Sequence, residues 1–174
     1  ETLNPKKTCE DFQNLLDVLR TYKDVRVVFT KSNADNEGRR INHMIDEFVS
    51  TCSKNVVAHT SLGRVRYLST LKFVSGVVGN SSSGIIEAPS VQTGTVNIGG
   101  RQLGRLRAAS VIDCQSDVTS IKKAIDTLLS SEFQSSLTNL SNPYGKGGVA
   151  RKIVNVLKTC CLKGIVRKQF FDVT

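Results

Sequence analysis

Gly76-Val77-Val78-Gly79-Asn80-Ser81-Ser82-Ser83-Gly84-Ile85-Ile86-Glu87, followed by Thr95-Val96-Asn97-Ile98-Gly99-Gly100-Arg101-Gln102, decides the fold. Two short β-prone runs, Val77-Val78 and Thr95 to Ile98, each stop at small residues followed by polar ones. Between them a Ser/Gly turn opens a helix from about Ser82. Strand, turn, helix, strand is the pattern of a parallel sheet with crossover helices. Ligands of open parallel sheets bind outside the carboxyl ends of the strands. A nucleotide diphosphate site at Asn80–Glu87 is therefore the first functional expectation.

The chemistry of that turn supports two readings. A turn into a helix leaves backbone N–H groups unpaired and favours an anion there. Ser81, Ser82 and Ser83 add hydroxyl donors, and Gly84 would let a ligand approach the backbone. Glu87, one turn along, could accept both hydroxyls of a ribose. The alternative is a serine-capped helix with Glu87 in solvent. The spacing matches neither G-x-G-x-x-G nor G-x-x-x-x-G-K-[ST]. The residues alone leave the two readings even.

Working outward, Phe12, Leu15, Leu16 and Leu19 fall at helical spacing, predicting a helix over Lys7–Tyr22 behind Pro5, with Thr8 and Asp11 as a capping box. Val25–Thr30 reads as a strand, followed by a polar turn carrying Asn33 and Asp35. Ile41, Met44, Ile45, Phe48 and Val49 predict a helix over Glu37–Cys52, and Asn55–His59 a strand. Tyr67–Ser75 is a short helix candidate with Leu68, Leu71 and Phe73 as its apolar members. Beyond the arginine-bearing loop Gly99–Arg107, Ser110–Asp113 reads as a weak strand and Asp117–Leu129 as a helix with Val118, Ile121, Ile125, Leu128 and Leu129 inward. Ser130–Gly148 reads as irregular, and Val149–Cys161 as a last helix with Ile153, Val156, Leu157 and Cys160 on one face. The whole chain, 1–174, is expected to be one α/β domain with a mostly parallel sheet.

Lys and Arg exceed Asp and Glu by 24 to 15, a net charge of +9. The basic residues are dispersed and aromatics make up only 6% of the chain, without the aromatic–basic interleaving of an RNA-binding surface. A basic surface, or attraction to an anionic small ligand or an acidic partner domain, ranks above nucleic acid. No apolar run approaches the roughly eighteen residues of a membrane helix. The start shows no signal-peptide pattern, and the five cysteines have no C-x-x-C pairing, so free thiols and a cytoplasmic protein without a zinc site are expected. His43 and His59 have no acid–nucleophile partners, and no G-x-S-x-G elbow is present. The chain is better equipped to bind than to react.

GNSSSGIIEAPS, TVNIGGRQLGR, SVIDC and NPYGKG together resemble the C-terminal half of UDP-N-acetylglucosamine 2-epimerases, most strongly the hydrolysing branch that makes N-acetylmannosamine for sialic acid and capsule synthesis. The likeness runs from ETLNP to FFDV. It implies a three-layer Rossmann-like parallel sheet, the second half of a glycosyltransferase-B-like architecture in which UDP-sugar lies between two Rossmann-like domains. It implies that Asn33 contacts the nucleotide, that Tyr67 lies near uracil, that Ser81 and Ser82 hold phosphate, that Glu87 holds ribose and that Arg101 lies near the diphosphate. UDP and UDP-GlcNAc are the implied ligands, the N-terminal domain is the implied partner, and no cofactor or metal is needed. The family's active-site His-Pro pair falls just before Glu1, and its catalytic carboxylates belong to the first domain. No catalytic residue is therefore expected within this chain, and the isolated half is expected to bind UDP without turnover. A homo-oligomer is left open. A glycosyltransferase half, an epimerase of another acetamido sugar and a basic nucleic-acid module are the competing readings.

Overall fold

The computed structural model describes residues 5–32, 36–52, 54–161 and 164. They fall into two compact units, residues 1–144 and 145–174. In the first unit the order is α1 (Pro5–Arg20), β1 (Val27–Thr30), α2 (Asn36–Thr51), β2 (Val56–His59), α3 (Gly63–Leu71), β3 (Gly76–Gly79), α4 (Ser82–Ile86), a 3-10 turn (Ala88–Val91), β4 (Gly94–Ile98), β5 (Val111–Cys114), α5 (Val118–Leu129) and α6 (Ser131–Ser136). The second unit contributes α7 (Val149–Thr159).

All strand pairs are parallel. β1 pairs with β2 in one sheet, and β3, β4 and β5 pair in that order in another. This is the α/β class read from the alternation of strand and helix, with short β-branched strands that need crossover helices. β4 is the buried centre of the second sheet, with Gly94 to Asn97 all buried. Burial on both faces fits a central parallel strand.

The core has two parts, and α1 serves both. Leu15 and Val18 pack with Val96, Ile121, Ala124, Ile125 and Leu128 over the three-stranded sheet. Leu16 packs with Phe48 and Val56 over the two-stranded sheet, while Phe12 and Leu19 border both clusters. A stripe at i, i+3, i+4 and i+7 is wide enough to reach two neighbours. Full burial of a side chain such as Ile121 contributes about 1.5–3 kcal/mol.

Several element boundaries differ from the sequence expectation. Pro5 is the first residue of α1 rather than preceding it, and Thr8 lies buried inside the helix, not at its cap. Proline suits a first helical position because its missing N–H is unpaired there anyway. α3 runs Gly63–Leu71, earlier than read, so Phe73 falls outside it and is 88% exposed. On α5, Val118 and Leu129 lie at the solvent side, and the small Ala124 takes an inward place. Ser130–Gly148 is not wholly irregular: Ser130 accepts from Phe133 N–H and caps α6. α7 exposes Ile153, Val156 and Leu157. Cys9, Cys52, Cys114 and Cys160 are half-buried and Cys161 exposed, so none is a fully buried core residue.

Candidate functional site

The carboxyl ends of β3 and β4 bring the chain's distinctive residues together. β3 ends at Gly79, and Asn80 leads into Ser81, the N-cap of α4. The Ser81 hydroxyl accepts from Ser83 N–H at 3.3 Å, as an N-cap serine does. Among the described residues the Ser82 hydroxyl has no partner, and it is half-buried at the first position of α4. The Ser83 hydroxyl meets the Tyr67 hydroxyl at 2.7 Å, joining α3 to α4.

α4 has only five residues, and Glu87 caps its carboxyl end with an exposed side chain. Glu87 N–H donates to Ser83 O at 2.9 Å, so the two residues are one helical turn apart on one side. Among the described residues no partner meets the Glu87 carboxylate. Asn142 reaches the same end: its Nδ2 donates to Ile86 O at 2.9 Å and meets Ser90 Oγ at 2.6 Å.

Gly84 does not play the part read for it. It is buried, and a Cβ there would stand 2.6 Å from the Thr95 methyl. Thr95 Oγ1 also donates to Gly84 O at 2.8 Å. The glycine lets α4 lie directly on β4.

The loop after β4 closes the other side. Arg101 Nη1 donates to Asn80 Oδ1 at 3.4 Å, and buried Gln102 donates from Nε2 to Asn80 O at 2.7 Å. Arg107 forms an ion pair with Asp113 at 2.9 Å and donates to Gln102 O at 3.1 Å and Arg105 O at 3.0 Å. Asn97 Nδ2 donates to the same Asp113 at 2.6 Å. Tyr144 holds the loop from outside, donating to Leu106 O at 3.1 Å. Asn97 Oδ1 and Gln102 Oε1 are buried without a partner among the described residues.

Of the residues singled out in the sequence, Ser81, Ser82 and Arg101 thus flank Asn80, and Tyr67 touches the adjoining Ser83. Glu87 lies at the far end of the same short helix. Asn33 and Asp35 lie outside the described residues. The structure adds Gln102 and Asn142. The motifs RQLGR and NPYGKG were visible, but nothing in their spacing revealed which backbone carbonyls their amides bind. His43 is exposed and meets Glu47 at 3.3 Å. Two shallow depressions lie elsewhere, one along α5 and one beside Cys9 and Met44. The candidate site is an open edge.

Residues 1–158 match the family described as UDP-N-acetylglucosamine 2-epimerase. The chain belongs to this family. A GDP/UDP-N,N'-diacetylbacillosamine 2-epimerase (hydrolyzing) of Campylobacter jejuni is 39% identical over 172 residues, covering 98% of this chain and 44% of that protein. The polysialic acid biosynthesis protein P7 of Escherichia coli is 33% identical over 175 residues, covering 99% of this chain and 44% of that protein. The chain therefore spans less than half the length of these relatives. The fold agrees with that of an S. aureus MnaA–UDP co-structure, with a TM-score of 0.69 at 19% identity over 88% of this chain and 42% of the other. An α/β fold with parallel sheets, resembling the Rossmann-like epimerase fold, is common to both. No helix among the described residues is long and apolar enough to cross a membrane.

Proposed function

We propose that this chain is the UDP-binding half of a hydrolysing nucleotide-sugar 2-epimerase, the second domain of a glycosyltransferase-B-like enzyme. The observation that carries the reading is the convergence of Asn80, Ser81, Arg101 and Gln102 at the carboxyl ends of β3 and β4. That is where a parallel sheet binds its ligand. Ser81 and Ser82 donate hydroxyls to the diphosphate and Arg101 supplies positive charge beside it. Glu87 accepts the ribose hydroxyls and Tyr67 serves the base; a nucleotide contact for Asn33, outside the described residues, rests on the family resemblance alone. The bond-breaking groups lie in the remainder of the enzyme. There, anti-elimination of UDP gives a 2-acetamidoglucal, and addition of water gives the epimerised free sugar.

UDP-GlcNAc, yielding N-acetylmannosamine, is the substrate we assign. A diacetamido sugar nucleotide is the second reading, favoured by the higher identity to the Campylobacter jejuni relative, 39% against 33% for the Escherichia coli protein. The full-length protein should be offered each sugar nucleotide in turn, with UDP release and the free sugar followed by NMR. Release of UDP with a 2-epimerised sugar supports the reading. Transfer of the sugar to an acceptor would assign a glycosyltransferase instead. Glu87→Ala should weaken UDP binding at least tenfold by calorimetry, and unchanged affinity would remove the ribose role.

A further inference from the structure

β4 and β5 are parallel neighbours, yet the chain between them forms no helix. Parallel strands need a crossover of about a dozen residues or more, and a helix usually supplies it. Here residues 99–110 make the crossover as a loop. Two turns shape its first half. Leu103 N–H donates to Gly100 O at 3.0 Å, and Arg105 N–H to Gln102 O at 3.3 Å. Gly104, with φ +79°, supplies the positive angle that the second turn needs at its third position. Nothing regular fixes this loop against the sheet, so its place depends on side chains.

One side chain ties it together. The Arg107 guanidinium donates from Nη2 to Gln102 O at 3.1 Å and from Nη1 to Arg105 O at 3.0 Å. Its Nε stands 3.2 Å and 2.9 Å from the two carboxylate oxygens of Asp113. Every nitrogen of the guanidinium thus meets a protein oxygen. Asp113 is held in turn. It lies opposite Asn97 in the β4–β5 register, and the buried Asn97 donates to it from Nδ2 at 2.6 Å.

These contacts run in series from β5 to the serine turn. Asp113 holds Arg107, Arg107 holds the backbone of Gln102, and the Gln102 side chain holds the Asn80 carbonyl. Arg101, the neighbour of Gln102, reaches the same Asn80. The side chains of Arg107 and Asp113 are 23% and 50% exposed, and an ion pair so open to water adds little to global stability. Its effect is on the loop. If the loop leaves this arrangement part of the time, the affinity of anything bound there falls by the same fraction. Charge alone does not suffice for the task. A guanidinium donates in several fixed directions at once, whereas a lysine ammonium is a point charge on a flexible stem.

We propose that Arg107, anchored by Asp113, is a positioning residue that keeps Arg101 and Gln102 set for the ligand and does not itself bind the diphosphate. The clamp stands on the contacts alone; its effect on nucleotide affinity rests on the function proposed above.

Trypsin tests the clamp without any ligand. In the full-length protein, cleavage after Arg101 and Arg105, followed by mass spectrometry, should run about tenfold faster in Arg107→Lys and in Asp113→Ala, because cleavage tracks the population of the opened segment. The melting temperature should stay within about 3 °C of wild type in both. KM for the nucleotide sugar should rise about tenfold with kcat within about threefold. Asp113→Glu, which keeps the carboxylate, should restore most of the wild-type KM. Wild-type cleavage of Arg107→Lys would overturn the clamp, since a charge alone would then hold the loop. Faster cleavage with unchanged KM would overturn the positioning role. The cleavage assay contains no nucleotide, so it decides the clamp even if the wild-type enzyme turns over no nucleotide sugar, a result that would count against the proposed function alone.

Discussion

The Gln102 side-chain amide donates to the Asn80 carbonyl at 2.7 Å, from a position 4% exposed. It fixes the residue that precedes the serine turn and sets the loop after β4 at the height of the end of β3. On the proposed function Gln102 is a positioning residue, acting through Asn80. Gln102→Met keeps the volume and removes the donor, leaving the half-buried Asn80 carbonyl without this partner, at a cost of about 1 kcal/mol. The full-length protein should show a KM for its nucleotide sugar raised about tenfold with kcat within about threefold, the KM change corresponding to about 1.4 kcal/mol of uniform binding. A melting temperature that falls with KM unchanged would make the residue structural only.

Tyr67 and Ser83 should behave as one unit. Tyr67→Phe and Ser83→Ala each break the same hydrogen bond, so the double variant should be little worse than either single one. A double-mutant cycle on UDP affinity should give a coupling of about 0.5–1.5 kcal/mol. Ser82→Ala should weaken UDP more than Ser83→Ala, because the Ser82 hydroxyl is not engaged within the described residues. Strict additivity of the Tyr67 and Ser83 changes would argue against the joint role.

Gly84→Ala should cost about 1–3 kcal/mol of stability, since the new methyl enters the van der Waals space of Thr95. Urea denaturation reads it as a lower midpoint with an unchanged slope. Gly84→Ala combined with Thr95→Ser removes the opposing methyl and should recover part of the loss. An unaffected single variant would mean that α4 can lift off β4 freely.

Cys114 should resist alkylation at neutral pH. Burial, with Asp117 and Asp113 adding to it, pushes its thiol up to about 11 from 9.0. The folded state thus holds the neutral form longer than the unfolded chain does. Its contribution to stability is complete below about 9 and is lost as pH rises toward about 11. Tyr22 is displaced upward as well, by burial first and then by its hydrogen bond to Asp126, and adds to the alkaline loss in the same sense. Iodoacetamide labelling by mass spectrometry at pH 8 should modify exposed Cys161 well before Cys114.

The parallel α/β class was legible because strand and helix periods alternate cleanly along the chain. The stripe Phe12, Leu15, Leu16, Leu19 also predicted a helix correctly, but not that Leu15 and Leu16 would face different sheets. Sequence spacing gives a face, while the neighbours across it come from topology. The serine turn was legible as a polar interruption between strands. The meaning of Gly84 was not, because a glycine needed for close packing and one needed for ligand approach look alike in sequence. Gln102 and Asn142 were unreadable for another reason. Their partners are backbone carbonyls 22 and 56 residues away, which leave no compositional trace.

Five-residue α4 is held from three directions: by Thr95 on β4 beneath it, by Tyr67 at its start and by Asn142 at its end. A helix this short has little stability of its own, so these contacts fix its place. On the proposed reading, a nucleotide arriving at this turn meets a backbone already fixed on folding and a Ser81 hydroxyl already held by Ser83 N–H. Its binding entropy then reflects the ligand's own restriction more than that of the turn. On the proposed reading α4 is a fixed wall of the site, its position set before any ligand arrives.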